Sequence, residues 1–325
     1  MKDFCDLSDS QLEILARSPR RDLGYSPWAA WEAERSGFGL GFRRAAHYPS
    51  WLPLFITSDH YVDPLIQMRD NEVNPEFGVY LSWNAQKVDA LRKRGVNAHH
   101  CRHPWNYLDL DTSHSGRTPS GTLVFWPHSH SKHRDDTDPE DFVSSLMDLP
   151  RHYRPFVLCL MSYDIGLGLH KKLRKFGLPL TTVGDVNSQR YPYRFFRLMR
   201  NFWFAASPNM GSQVYYTLWS GRPYRLVGRN AYQHKILSCT DTWNHESKSV
   251  AFNLRYTDNE LKELVTDFEA SLEFDLEQPL DMQVAFAKKN MGLESEMTRG
   301  TLTHIVWDQL QKNRKLMPNM YSRRS

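Results

Sequence analysis

GTLVFWPHSHS (121–131) and FWFAASPNMGSQVYYTLWSGRPYRLVG (202–228) decide how this chain reads. In the first, an apolar, β-branched run breaks at Pro127 into a polar loop. In the second, the strand pattern FWFAAS (202–207) breaks at Pro208. A Gly-Ser pair then opens a helical stretch, Gly221 stops it, and RPYRLVG (222–228) reads as another strand. Strand, turn, helix, glycine, strand is the order of a βαβ unit.

The alternation continues between these two stretches. DPEDFVSSLMDLP (138–150) predicts a helix whose opening acids suit the N-terminal dipole. PFVLCLM (155–161) is continuously apolar, as a strand buried on both faces requires. DIGLGLHKKLRKFG (164–177) predicts a helix, LPLTTVG (178–184) a strand, and RYPYRFFRLMRN (190–201) a helix. Such alternation implies an α/β fold with a parallel sheet and right-handed crossovers.

The first half is shorter in regular pattern. Ser8 caps the run DSQLEILARS (9–18), and an aromatic, Gly-rich stretch follows. Strands are expected at 51–58, 77–83 and 96–101, with a helix at 84–95 between Asn84 as N-cap and Gly95 as stop. The turn-rich segment DLDTSHSGRTPS (109–120) reads as a domain boundary. The expected division is 1–115, 116–230 and a helical extension 231–325, with helices at 257–273, 278–291 and 299–313.

Lys and Arg total 41 against 37 Asp and Glu, a net charge of +4. The cations are dispersed, whereas a nucleic-acid binder gathers them on one face, so no nucleic-acid partner is expected. Local clusters at Arg92–Arg94, Lys171–Lys175 and Lys312–Arg324 read as solvated faces, or as patches for anionic substrates and peripheral membrane contact. Cys5, Cys101, Cys159 and Cys239 form no CxxC pair and read as reduced thiols. Charges at Lys2, Asp3, Asp6 and Asp9 interrupt any leader-like apolar run, and no stretch approaches the roughly 20 apolar residues of a membrane span. The expected location is cytoplasmic, with contact at the inner membrane face limited to a peripheral one.

In an open parallel sheet, ligands bind beyond the carboxyl ends of the strands. At Ser207–Ser212, Gly211 permits close approach of a phosphate, Ser207, Asn209 and Ser212 supply donors, and the helix N-terminus adds N–H groups. The alternative is an ordinary strand-to-helix turn. His128, Ser129 and His130 open a segment that runs to Asp138; it suits phosphate recognition, a metal site or a solvated loop. Its H-x-H-x-x-H spacing matches no structural zinc signature, and no metal is expected. Asp164 reads as a helix cap or a cleft residue, and Gly184 and Asp185 form a turn at the same edge. His99, His100 and His103 read as packing or polar contacts rather than ligands. Asp59 or His60, ending the first strand, would be a general base on an acceptor hydroxyl, or a strand-end cap.

SPNMGSQVYYTLWSGRPYRLVG (207–228) resembles the donor-binding turn of GT-B glycosyltransferases, and GVYLSWNAQKVDALRKRGVNAHHCRHPWNYLD (78–109) resembles the end of their N-terminal domain. GTLVFWPHSHS, SYDIG (162–166), TTVGD (181–185) and the Ser207 turn, in that order, resemble members that build bacterial capsule and surface polysaccharide. The resemblance implies two Rossmann-like domains, the N-terminal one short, facing a cleft, with a helical C-terminal tail. It implies a nucleotide-sugar donor as co-substrate on the 116–230 domain, a glycan or glycolipid acceptor on the 1–115 domain, and no further cofactor or metal. His128, Ser129, His130, Asp164, Gly184, Asp185, Ser207, Asn209, Gly211 and Ser212 would then bind the donor, with Asp59 or His60 catalytic. Two other readings stay open: a GT-B-like protein that binds a nucleotide sugar or glycan without turnover, and a metal-dependent hydrolase using His128–Asp138.

Overall fold

The computed structural model describes residues 5–17, 56–58, 79–108, 118–127, 129, 135, 137–185, 191–208, 211–227 and 281–316. The chain divides into two units. One holds 1–18, 111–186 and 191–287; the other holds 19–110, 187–190 and 288–325. The first helix, α1 (Asp9–Ala16), has a full capping box: the Ser8 hydroxyl accepts from Gln11 N, and the Gln11 side chain accepts from Ser8 N.

The smaller unit is built on three parallel strands, β1 (Ile56–Ser58), β2 (Val79–Ser82) and β3 (Ala98–His100), in the order β1-β2-β3. Helix α2 (Ala85–Lys93) crosses from β2 to β3, capped by Asn84 at 3.0 Å from Lys87 N. It lays Val88 and Leu91 on Tyr80, Val96 and Ala98. The chain returns to this unit after residue 290. Arg102 Nε donates to the Ser295 carbonyl at 2.9 Å, the Tyr107 hydroxyl to the Met297 carbonyl at 3.0 Å, and the Ser295 hydroxyl to the His100 carbonyl at 2.9 Å. Part of the expected C-terminal extension is therefore woven into this unit. Its helices run over Asp281–Asn290 and Arg299–Leu316, while the expected helix 257–273 lies outside the described residues.

The larger unit carries five parallel strands: β4 (Thr122–Phe125), β5 (Phe156–Met161), β6 (Leu180–Gly184), β7 (Phe204–Ser207) and β8 (Tyr224–Leu226). Their order is β6-β5-β4-β7-β8. The crossovers are α3 (Pro139–Met147), the pair α4 (Ser162–Gly166) and α5 (Leu169–Leu173), α6 (Tyr191–Met199) and α7 (Ser212–Trp219). The helix expected at 164–177 is broken because Gly168 takes φ +81°, a left-handed conformation that ends one helix and starts the next. Adjacent residues of β4 and its extension show the two covered faces. Trp126 meets Phe142 of α3 edge-on at 5.1 Å, and Phe125 stacks on Phe195 of α6 at 5.6 Å. Helices on both faces bury strands on both sides, which is why β4, β5 and β7 read as unbroken apolar runs.

Helix α1 belongs to this larger unit, not to the N-terminal half in which 1–115 was expected to stand together. Leu7 N donates to the Leu180 carbonyl at 2.8 Å, and Leu7, Leu12 and Ala16 enter the core below β5 and β6. Arg174 pairs with Asp6 at 3.1 Å and Asp9 at 3.0 Å, and Lys171 with Glu13 at 3.2 Å. The Lys171–Lys175 cluster is thus largely matched by acids, since Lys175 also meets Glu140 at 2.7 Å. No helix among the described residues is long and apolar enough to cross a membrane.

His103 is the one imidazole of its group that sits fully inside. It lies edge-on to Trp83 at 4.8 Å and Trp105 at 5.8 Å, and its Nδ1 accepts from Trp105 N at 3.2 Å. Burial pushes its pKa well below the ordinary value. The unfolded chain takes up that proton near pH 6.5 and the folded chain does not, so stability is full above that pH and falls below it. The slope from this residue reaches about 1.4 kcal/mol per pH unit. Urea midpoints between pH 7.5 and 5.5 should fall for the wild type and fall less steeply for His103→Gln. Equal slopes would place the pH sensitivity elsewhere.

Candidate functional site

The strand order sets where a ligand can enter. From β4 the chain adds β5 and β6 on one side, then crosses back to lay β7 and β8 on the other. The segments leaving β4 and β7 head toward opposite sides of the sheet, so a crevice opens between their carboxyl ends. Trp126–Ser129 leaves β4 there, and Ser207–Ser212 leaves β7. These are the two loops that the sequence singled out.

The loop after β4 is held by its own polar groups. The Trp126 indole donates to Asp135 Oδ2 at 3.2 Å, and the Thr137 hydroxyl donates to Asp135 Oδ1 at 2.8 Å. Asp135 N donates to Ser129 Oγ at 2.9 Å, and Ser129 N donates to Asp164 Oδ1 at 3.0 Å. Ser129 and Asp164 are both buried. Asp164, in the first turn of α4, therefore ties the β4 loop to the β5 loop. Asp138 caps α3, accepting from Glu140 N at 2.8 Å and Asp141 N at 3.0 Å. Two of the carboxylates that a metal site in this segment would draw on thus accept hydrogen bonds within it, Asp135 from side chains and Asp138 from backbone N–H groups. Among the described residues no group of three or more His, Cys, Asp and Glu is placed to hold a metal ion. His128, His130, Asn209, Asp59 and His60 lie outside the described residues.

Two strands away, β6 ends in a bulge, where the pairing shifts between Cys159 and Met161. The Thr182 hydroxyl donates to the Leu160 carbonyl at 2.7 Å and accepts from Gly184 N at 2.9 Å, pinning the shift. Gly184 follows with φ +90°. A side chain there would collide with the Arg194 guanidinium and lie 3.0 Å from the Leu15 carbonyl. Backbone conformation and packing together account for this glycine. Asp185, next to it, is buried. Cys159 of β5 is buried, which pushes its thiol up to about 12 and makes it an inert core residue.

The turn after β7 is different in kind. Ser207 is buried, and Gly211 stands at the N-cap of α7 in extended backbone (φ −135°, ψ −178°) with no side chain to accept from the first turn. Ser212 faces the Tyr216 hydroxyl one turn on, and burial holds that phenol above its usual range. Phe195 lies between Phe125 and Tyr216, 5.6 Å from each, so an aromatic layer underlies α6 and α7. Two further residues complete the turn. The Gln213 carboxamide folds back over Gly211, into the space that a Cβ would take. Tyr224 of β8, in register with Ala205, lies beneath with 1% of its surface exposed. Sequence reading passed over both. Gln213 looked like an ordinary helix residue, and Tyr224 meets the turn only because β8 pairs with β7.

Comparison with protein families, with curated proteins and with solved structures gives no match.

Gly184→Ala should destabilise the chain by about 2 kcal/mol or more, from left-handed backbone strain plus the clash with Arg194. The denaturant midpoint reads the loss. An unchanged midpoint would show that β6 ends without that constraint.

Proposed function

We propose that the larger unit is the donor-binding half of a GT-B-like glycosyltransferase, which moves a sugar from a nucleotide-sugar donor to a surface-glycan or glycolipid acceptor. The observation that carries this reading is the α7 N-terminus at the β4–β7 switch point, opened by Gly211 without a side-chain cap. Aligned peptide dipoles place about half a positive charge at such an end, and its first N–H groups face outward. A diphosphate or phosphate leaving group seated there gains charge where the bond to the sugar breaks, and fixed donors stabilise it. The helix end and side-chain donors, not a bound metal, would do this work.

Ser207, Gly211 and Ser212, with Asn209, His128 and His130, would hold the phosphates, while Ser129 and Asp164 keep the β4 loop in place. Asp185 and Gly184 would border the site from the β6 side. Asp59 or His60 would take the proton from the acceptor hydroxyl in an inverting displacement. The enzyme would work in the cytoplasm, and a membrane-bound acceptor would be met peripherally.

One observation favours a second reading, binding without turnover. Helix α7 (SQVYYTLW) carries no carboxylate, and the GT-B pattern that its sequence resembles holds the ribose with a Glu in this helix.

A thermal-shift screen against CMP, UDP, GDP and their sugars tests the site. A ligand at about 100 times its Kd should stabilise the wild type by about 2.7 kcal/mol, and Ser212→Ala should need more ligand for the same shift. No shift with any nucleotide would end the donor-site reading. Where binding is found, transfer that fails with Asp59→Asn or His60→Ala while binding persists would support the enzyme. Absence of transfer from every donor bound would favour the binding protein, and loss of activity to a chelator the hydrolase.

A further inference from the structure

In a parallel sheet all strands begin at one edge, so the segments that lead into β5, β7 and β8 meet at the edge opposite the crevice. Those segments, 147–155, 197–203 and 219–225, carry Arg151, Arg154, Arg197, Arg200, Arg222 and Arg225, no lysine, and one acid, Asp148. The chain scatters these arginines and the fold gathers them. Where the chain enters β6, by contrast, Arg174 and Lys175 are matched by Asp6, Asp9 and Glu140. Short contacts tie the arginine segments to one another. Tyr153 lies 4.5 Å from Phe204 at the start of β7, and Arg225 Nη1 donates to the Tyr153 hydroxyl at 3.2 Å. The Arg222 guanidinium lies over the Trp203 ring at 5.4 Å. Helix C-termini attract cations, and Arg154 Nη2 donates to the Met147 carbonyl at the end of α3 at 2.7 Å. That does not explain Arg225, which stands on a strand. Arg151, Arg154 and Arg197 are exposed, Met147 is 39% exposed, and Trp203 and Trp219 are partly so.

We propose that this arginine edge docks an acidic segment of a protein partner. Charge complementarity sets the sign, since guanidinium forks grip carboxylates in pairs of parallel hydrogen bonds. Composition sets the class of partner. Protein interfaces are rich in Arg, Met and aromatic rings and poor in Lys, which is the mixture at this edge. Polybasic membrane patches and phosphate-backbone contacts use lysine as freely as arginine. Position agrees. The edge lies across the sheet from the crevice, so a partner held here leaves the crevice open, whereas a membrane held here would be on the far side from it. The surface is also preformed: the Thr122 hydroxyl donates to the Tyr153 carbonyl at 2.6 Å, and Asn201 Nδ2 donates to the Arg197 carbonyl at 2.9 Å. Binding then orders little besides the arginine side chains. This inference is independent of the donor-site reading, which concerns the other edge.

Fluorescence anisotropy of labelled poly-L-glutamate, titrated with the full chain, tests it. Single-stranded RNA and vesicles of phosphatidylglycerol and phosphatidylcholine serve as the competing probes. Wild type should bind polyglutamate more tightly than either, and added salt should weaken the binding. The double variant Arg151→Ala/Arg154→Ala should weaken it about tenfold, the scale of an interface hot spot. Lys93→Ala/Arg94→Ala, which removes exposed cations of the smaller unit, should bind as wild type does. Arg151→Glu changes a single exposed side chain, and gives the same reading should Arg154→Ala lower the melting temperature. Failure of wild type to bind polyglutamate overturns the proposal. So does binding that the Arg151 and Arg154 variants leave unchanged, or that the Lys93 and Arg94 control loses equally. Tighter binding of RNA or of vesicles than of polyglutamate overturns the acidic-protein partner in favour of that probe's class.

Discussion

Strand β4 holds the larger unit together, and everything at its upper edge depends on its being paired on both sides. Leu123 and Val124 are fully buried, one toward each layer of helices. Each strand added after β5 must go to an edge already flanked, until the chain crosses β4 and starts again with β7. Among the described strands of this sheet, that reversal is where two neighbouring strands send their continuations apart. The crevice is therefore a consequence of connectivity and right-handed crossovers, before any side chain is chosen for a ligand.

Side chains then divide the work at that edge. The β4 loop spends its polar groups on itself: Trp126, Ser129, Asp135 and Thr137 bond to one another, and Asp164 anchors the whole from the next strand. The β7 turn does the reverse. Gly211 leaves its helix end uncapped, and the nearest side chains, Ser207, Gln213 and Tyr224, are neutral. The two sheet-edge segments thus differ in how their described polar groups are used.

The N-terminal helix shows how distant charges close the other edge. The β6 edge would expose unpaired backbone groups, and Leu7 covers one of them by donating to Leu180. Arg174 and Lys171 then clamp α1 through Asp6, Asp9 and Glu13. A cluster of basic residues that suggests an anionic surface when read along the chain is, in space, one half of an intramolecular set of ion pairs.

Local pattern was enough for much of this protein. Apolar runs, caps and glycines placed β2 through β8, α2 and α3 close to their observed bounds, because strand burial and helix capping act within a few residues. The ends of β4 and β7, where the segments toward His128 and Ser212 begin, were legible for the same reason. Only the tertiary structure decided that α1 packs on β6, that 291–299 returns to β3, and that the helix after β5 breaks at Gly168. It also decided that Ser129 and Asp164 support a loop and that Tyr224 and Gln213 belong to the turn. These depend on contacts between residues far apart in the chain, or on which of two polar groups finds the other first. Neither is written in the spacing of neighbours.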